Sequence, residues 1–121
     1  MSSQTLSGIN VLDLTSYIAG PFGATLLGDL GANVIKVESP SGDMMRNYPS
    51  TLVGESRAYV GVNRNKRGIV IDLKSKDGLE VIRRLIKKSD VIVHNFRPGV
   101  SRRLGLEYEQ LIDINPKIIY C

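Results

Sequence analysis

The chain has 121 residues, 42% of them apolar and 23% charged, the balance of one ordinary water-soluble domain. Sixteen Lys and Arg against twelve Asp and Glu leave a net charge of +4, compatible with a phosphate-bearing ligand; the few aromatics are scattered rather than interleaved with the cations, which argues against a nucleic-acid reader. A single cysteine, Cys121, excludes an intrachain disulfide and a multi-cysteine zinc site, and no apolar run approaches the roughly 18 residues of a membrane span.

The opening MSSQTLSGIN has neither the charged nor the apolar stretch of a secretory leader, so a cytoplasmic protein is expected. Gly8–Leu14 (GINVLDL) reads as a short buried strand. Ser16–Ala19 is a turn, and Gly20-Pro21 opens a helix, because proline suits a first helical turn where its missing N–H has no partner to lose. Phe22–Leu30 (FGATLLGDL) is apolar and rich in small residues, as befits a helix packed closely on a sheet, and Gly31 follows as its cap. Asn33–Glu38 (NVIKVE) is the second strand, and the β-α-β order makes the two strands parallel. Lys36 and Glu38 alternate along it as an edge pair would.

Ser39–Arg57 is long and irregular, a length that in a compact domain goes with function or mobility. Ala58–Val62 reads as a short strand, Asn63–Gly68 (NRNKRG) as a basic turn and Ile69–Leu73 (IVIDL) as a third buried strand. Ser75 caps a helix running to Lys88, whose Leu79, Val81, Ile82, Leu85 and Ile86 form one apolar stripe. Asp90–Val93 is a fourth strand, Asn95–Gly99 (NFRPG) a loop, and short helical patches reach Ile114. Ile118–Cys121 begins a fifth strand with the apolar character of a central one. A central strand needs a covering element, so the chain is expected to be an N-terminal piece of a longer protein. The fold class is therefore α/β, a mostly parallel sheet with flanking helices.

In such a sheet, ligands bind beyond the carboxyl ends of the strands. The loops there carry Ser16, Tyr17, Arg46, Lys74, Asn95, Phe96 and Arg97, with Lys66, Arg67 and Arg103 near in sequence. Backbone N–H groups at a helix start, several cations and one aromatic suit a ligand with phosphates and a flat base. Asp13 and Asp72, near strand ends, read as turn caps, and His94 as a packing or solvent residue. Neither a G-x-G-x-x-G after the first strand nor a G-x-x-x-x-G-K-[ST] is present, and there is no G-x-S-x-G.

Four stretches in order, VLDLTSYIAGPFGATLLGDLGANVIKVESPSGD, NRNKRGIVIDLKSKDG, DVIVHNFRPGVSRRLGL and INPKIIYC, resemble the N-terminal segment of the class III CoA-transferases, the CaiB/BaiF family. The likeness covers almost the whole chain from Gly8. It implies a Rossmann-like, CoA-binding segment, residues 1–121, of a larger domain. Matched position by position, it implies backbone contacts to coenzyme A from Ser16, Tyr17, Ile18 and Ala19, with Ile71 and Lys74 flanking adenine and ribose. It implies further that Asn95 and Phe96 line the pantetheine path and that Arg103, with Arg97 as a weaker candidate, meets phosphate oxygens. Gly42, Asp43 and Arg46 would shape the CoA and acyl pocket. Ser16, Ile18 and Ser39 depart from the His, Gln and Arg that members of the family carry there.

The activity implied is transfer of CoA between an acyl-CoA and a carboxylic acid, without a metal, in an interlocked homodimer. The catalytic aspartate would lie beyond Cys121, so no catalytic residue is assigned in this chain. An acyl-CoA racemase or epimerase of the same family is the alternative. Readings from other classes are a plain nucleotide-binding module and a non-catalytic truncated product.

Overall fold

The computed structural model describes residues 4–121, and its five strands form one parallel sheet in the order β3-β2-β1-β4-β5. The strands are β1 (Asn10–Asp13), β2 (Asn33–Glu38), β3 (Lys66–Val70), β4 (Val91–Val93) and β5 (Ile119–Tyr120). The helices are α1 (Ala19–Asp29), α2 (Arg57–Gly61), α3 (Lys76–Ile86), α4 (Val100–Leu104) and α5 (Tyr108–Leu111), with a 3₁₀ turn at Met44–Asn47. This is the α/β parallel sheet expected from the alternation of strand and helix. β1 lies at its centre, pairing Val11 with Val34 on one side and with Val91 on the other.

Side chains alternate across a strand, so neighbours on β1 serve opposite faces. Val11 and Val34 pack with Ala24 of α1. Leu12 and Leu14 turn the other way and join Val37, Ile92, Ile82 and Ile86 of α3, and Leu106 and Leu111. Leu12, Ile82, Ile86, Ile92 and Leu111 are fully buried, each worth about 1.5–3 kcal/mol of transfer free energy. At a period of two, Asp13 follows Val11, and Lys36 and Glu38 follow Val34, so three charges continue the α1 side of the sheet at its carboxyl end.

Local chemistry explains the boundaries. Gly31 leaves α1 at φ +101°, a conformation that disfavours any side chain. The Ser75 hydroxyl accepts from the Gly78 N–H at 3.0 Å and caps α3. A Cβ on Gly78 would stand 1.9 Å from the Asp72 carbonyl oxygen, so only glycine lets the helix start this close to the strand end.

Four expectations change. Ala58–Val62 is not a strand: Ser56 accepts from the Tyr59 N–H and starts α2, a case where five residues are too few for periodicity to separate helix from strand. The basic turn ends sooner than expected. Asn65, at φ +59°, completes it, and Lys66, Arg67 and Gly68 belong to β3. β3 is an edge strand with Val70 65% exposed, not a buried one, and it stops before Ile71. β5 pairs with β4 among the described residues, with Ile118 buried and Ile119 exposed. On α3 the stripe holds except at Val81, which faces outward.

Candidate functional site

A cleft of about 670 Å³ opens at the carboxyl ends of the strands. Its walls are apolar, from Leu14, Val37, Ile71, Leu79, Phe96 and Leu104. Lys74 and Arg103 stand at the lining as cations, and the segment Ser39–Met44 forms one rim, with Pro40 alone not reaching it. The shape follows from the fold. β1 and β2 end side by side, and the chain must leave both in loops that cannot continue the sheet.

Behind that rim, on the α1 side, lies a line of three ion pairs, two of them buried on both sides. Lys66 Nζ meets Asp13 Oδ2 at 2.8 Å, with side chains 2% and 0% exposed. It also donates to the carbonyls of Pro21 and Val62 and to Asn63 Oδ1. Burial lowers the Lys66 pKa from its ordinary value, while the Asp13 carboxylate opposes the change. Next, Lys36 Nζ meets Asp43 Oδ2 at 3.0 Å, both side chains 1% exposed, and donates to the Thr15 carbonyl at 2.8 Å. Third, Glu38 accepts from Arg46 Nε and Nη2, both at 2.7 Å, from the Tyr59 hydroxyl at 2.7 Å and from the Asp43 N–H at 2.9 Å. The Arg46 guanidinium also lies 3.8 Å from the Tyr59 ring centroid. Those donors, Arg46 first, hold the Glu38 carboxyl at about 2 against its burial.

Asp43 is the hinge of this network. Its Oδ1 accepts from the N–H of Tyr17 at 3.2 Å and of Met45 at 3.0 Å. Tyr17 has φ +75°, a left-handed conformation that costs a bulky residue on the order of 1 kcal/mol and persists only where its surroundings hold it.

Of the residues expected at the site, Ser16, Ile71, Lys74, Phe96 and Arg103 line the cleft. Tyr17, Ile18, Ala19, Asn95 and Arg97 are exposed and do not. Asn95 acts on the site indirectly, since its side chain accepts from the Ser16 N–H at 3.0 Å and donates to the Ser16 carbonyl at 2.8 Å. The Ser16 backbone is thus already paired. The N–H groups left for a ligand on that loop are those of Ile18 and Ala19, at the open first turn of α1. His94 packs as expected: its ring stacks on Phe96 at 5.0 Å, and Nδ1 accepts from the Phe96 N–H at 3.3 Å. That bond puts the proton of the neutral ring on Nε2, which donates to the Tyr120 hydroxyl at 2.6 Å. Burial lowers the His94 pKa, with Glu107 opposing.

Asp72 caps a turn as expected, accepting from the Lys74 N–H. Asp13 accepts from the Thr15 N–H in the same way, but it is also a buried ion-pair partner. Lys36 and Glu38 do not form an edge pair: both are buried and each reaches the Ser39–Asn47 segment. The sequence did hold a signal for this. Two charges sharing a strand face with Val34, on the side a helix must cover, require buried partners.

Among the described residues, no group of three His, Cys, Asp or Glu side chains could hold a metal ion, and no helix is long and apolar enough to cross a membrane. The fold and cleft define an α/β protein with an apolar cleft, lined by the cations Lys74 and Arg103, across the carboxyl ends of a parallel sheet. A family model described as CoA-transferase family III matches residues 6–121, and the chain belongs to that family. It is 48% identical over 120 residues to human succinyl-CoA:glutarate CoA-transferase, which covers 98% of this chain and 27% of that protein. It is 46% identical over 115 residues to an acetyl-CoA:oxalate CoA-transferase of Acetobacter aceti, covering 94% of this chain and 30% of the other. The crystal structure of a CaiB/BaiF family protein from Brucella suis superposes with a TM-score of 0.93 at 40% identity, over 99% of this chain and 33% of that one. The chain thus spans about a third or less of the length of the proteins it matches.

Proposed function

We propose that this chain supplies part of the coenzyme A site of a CoA-transferase that moves CoA between an acyl-CoA and a carboxylic acid. The observation that carries this reading is the cleft itself: apolar walls ending in Lys74 and Arg103, in a chain that matches the family over residues 6–121. Adenine and pantetheine would lie along Ile71 and Phe96, and the two cations would meet phosphate oxygens, where arginine's fork is suited to a dianion.

Glu38 and Asp43 reach the cleft but are neutralised by Arg46 and Lys36. A carboxylate so paired is a poor nucleophile, which supports an acyl-carrying group supplied from outside residues 1–121. The remaining parts of the site would come from the rest of an interlocked homodimer, as the family likeness implies.

The test is a titration of the purified protein with CoA, 3′-dephospho-CoA and NAD. CoA should bind and NAD should not. Arg103→Ala should weaken CoA more than 3′-dephospho-CoA, by about tenfold for one lost charge-assisted contact to the 3′-phosphate. A protein that melts cooperatively and ignores CoA would overturn the reading. Succinyl-CoA offered with glutarate or oxalate then tests transfer, and loss of configuration in a 2-methylacyl-CoA without transfer would indicate an epimerase instead.

A further inference from the structure

The two loops that meet along one side of the cleft come from different strands. Thr15 and Ser16 follow β1, and Gly42, Asp43 and Met44 follow β2. One ammonium group joins them. Lys36 Nζ donates to the Thr15 carbonyl at 2.8 Å on one side and meets Asp43 Oδ2 at 3.0 Å on the other. Apart from Lys36, that Asp43 oxygen has no polar partner among the described residues. The other oxygen of the same carboxylate returns to the first loop and takes the Tyr17 N–H at 3.2 Å. The Asp43 backbone is fixed separately by Glu38, two residues beyond Lys36 on the same strand face.

We infer that Lys36 and Asp43 are a positioning pair that sets the spacing of the two loops and thereby the width of the ligand cleft. A lysine used only to fill space would not be buried to 1% beside a carboxylate, since both charges lose their hydration. Its placement earns geometry instead. A fixed ammonium between a carbonyl and a carboxylate holds both loops at hydrogen-bond distance, and Asp43 keeps Tyr17 at φ +75°. Neither side chain needs to touch the ligand through its charge for this role.

The experiment compares Lys36→Met, Asp43→Asn and the double variant. Asp43→Asn keeps the size but turns an amide N–H toward the ammonium. Each single change leaves one buried charge without its partner, so both should lower Tm, and this alone would say only that the pair is structural. The double variant removes both charges and should regain most of the lost Tm. It should nonetheless bind CoA about tenfold more weakly than the parent, and its Tyr17 amide hydrogen should exchange about tenfold faster or more. A double variant with parental Tm, CoA affinity and Tyr17 exchange would overturn the inference.

The CoA readout rests on the proposed function; the Tyr17 readout does not. If the parent protein binds no CoA, that proposal fails. The pairing is then judged on Tyr17 exchange alone, which supports it if faster in the double variant and overturns it if unchanged.

Discussion

Replacing Glu38 by Gln isolates one charge in the wall of the cleft. The carboxylate accepts four hydrogen bonds, three of them from Arg46 and Tyr59, and its side chain is only 6% exposed. Gln keeps the shape but offers one oxygen, and its NH₂ must face a donor. The gap between the ordinary 4.5 and the held value of about 2 corresponds to about 3 kcal/mol. Arg46 is 48% exposed, so water screens part of the pairing, and about 2 kcal/mol is the expected loss.

With about 2.1 cal/mol/K of unfolding entropy per residue over 121 residues, that lowers Tm by about 8 °C. The sign of the pH dependence follows from the lowered pKa. The stabilisation is fully present above 4.5 and is lost as pH falls toward about 2. Urea unfolding of the parent and Glu38→Gln proteins from pH 7 to pH 2.5 is the assay. The difference between them should be largest at pH 7 and should shrink steadily below pH 4.5. A difference under about 0.5 kcal/mol at pH 7, or one that does not change with pH, would refute the reasoning.

Lys66→Met leaves the Asp13 carboxylate in a fully buried site and should cost about 3–5 kcal/mol in urea unfolding, while adding Asp13→Asn should recover more than half; a cost below 1 kcal/mol for the single change would mean water reaches Asp13. The glycines make a paired test. Gly23→Ala, on α1 with open space around its Cβ, should stabilise by about 0.5–1 kcal/mol, whereas Gly78→Ala, 1.9 Å from the Asp72 carbonyl, should destabilise, and thermal melts showing the reverse order would contradict the packing. His94 is held neutral by burial, so its contribution is present above the unfolded value of 6.5 and declines as pH falls below it. His94→Gln should flatten the stability profile below pH 6.5, and parallel profiles for the two proteins would count against burial holding His94 neutral.

The parts of the fold that were legible in the sequence are those where one physical signal dominates. Asn33–Glu38 has matching bounds in sequence and structure because Gly31 and the Ser-Pro turn bracket an apolar run. Ser75 marks the start of α3 because its hydroxyl caps the helix just ahead of the apolar stripe. What failed needed tertiary information. Whether Ile69 and Val70 are buried depends on which strand reaches the edge, and strand order is not a local property. Ala58–Val62 is short enough for a serine cap to decide its form.

At the cleft, Ser16, Lys74 and Phe96 were placed by matching loops to strand ends, which the topology respects, and Ile71 and the role of Arg103 by the family likeness. Asn95 was found, but its side chain is used to hold Ser16. The buried charges of Asp13, Lys36 and Lys66 were read as surface chemistry because each partner lies 7 to 53 positions away in the chain.

The central place of β1 shapes how the chain acquires its structure during synthesis. β2 can join β1 early, since Val11 and Val34 are close in sequence, but the other edge of β1 waits for Val91. At about 5–20 residues per second, the ribosome needs about 3–11 s to pass from the end of β2 to the end of β4. Through that interval the middle strand of the five has an open edge, and Leu12 and Leu14 have no helix over them until α3 has been made. Closing an 80-residue loop is also the slow, non-local step by which relative contact order sets folding rates. The nascent chain is therefore most prone to mispairing and chaperone capture before β4 emerges, and mutations that weaken the β1–β4 contact should lower yield more than they lower the stability of the folded protein.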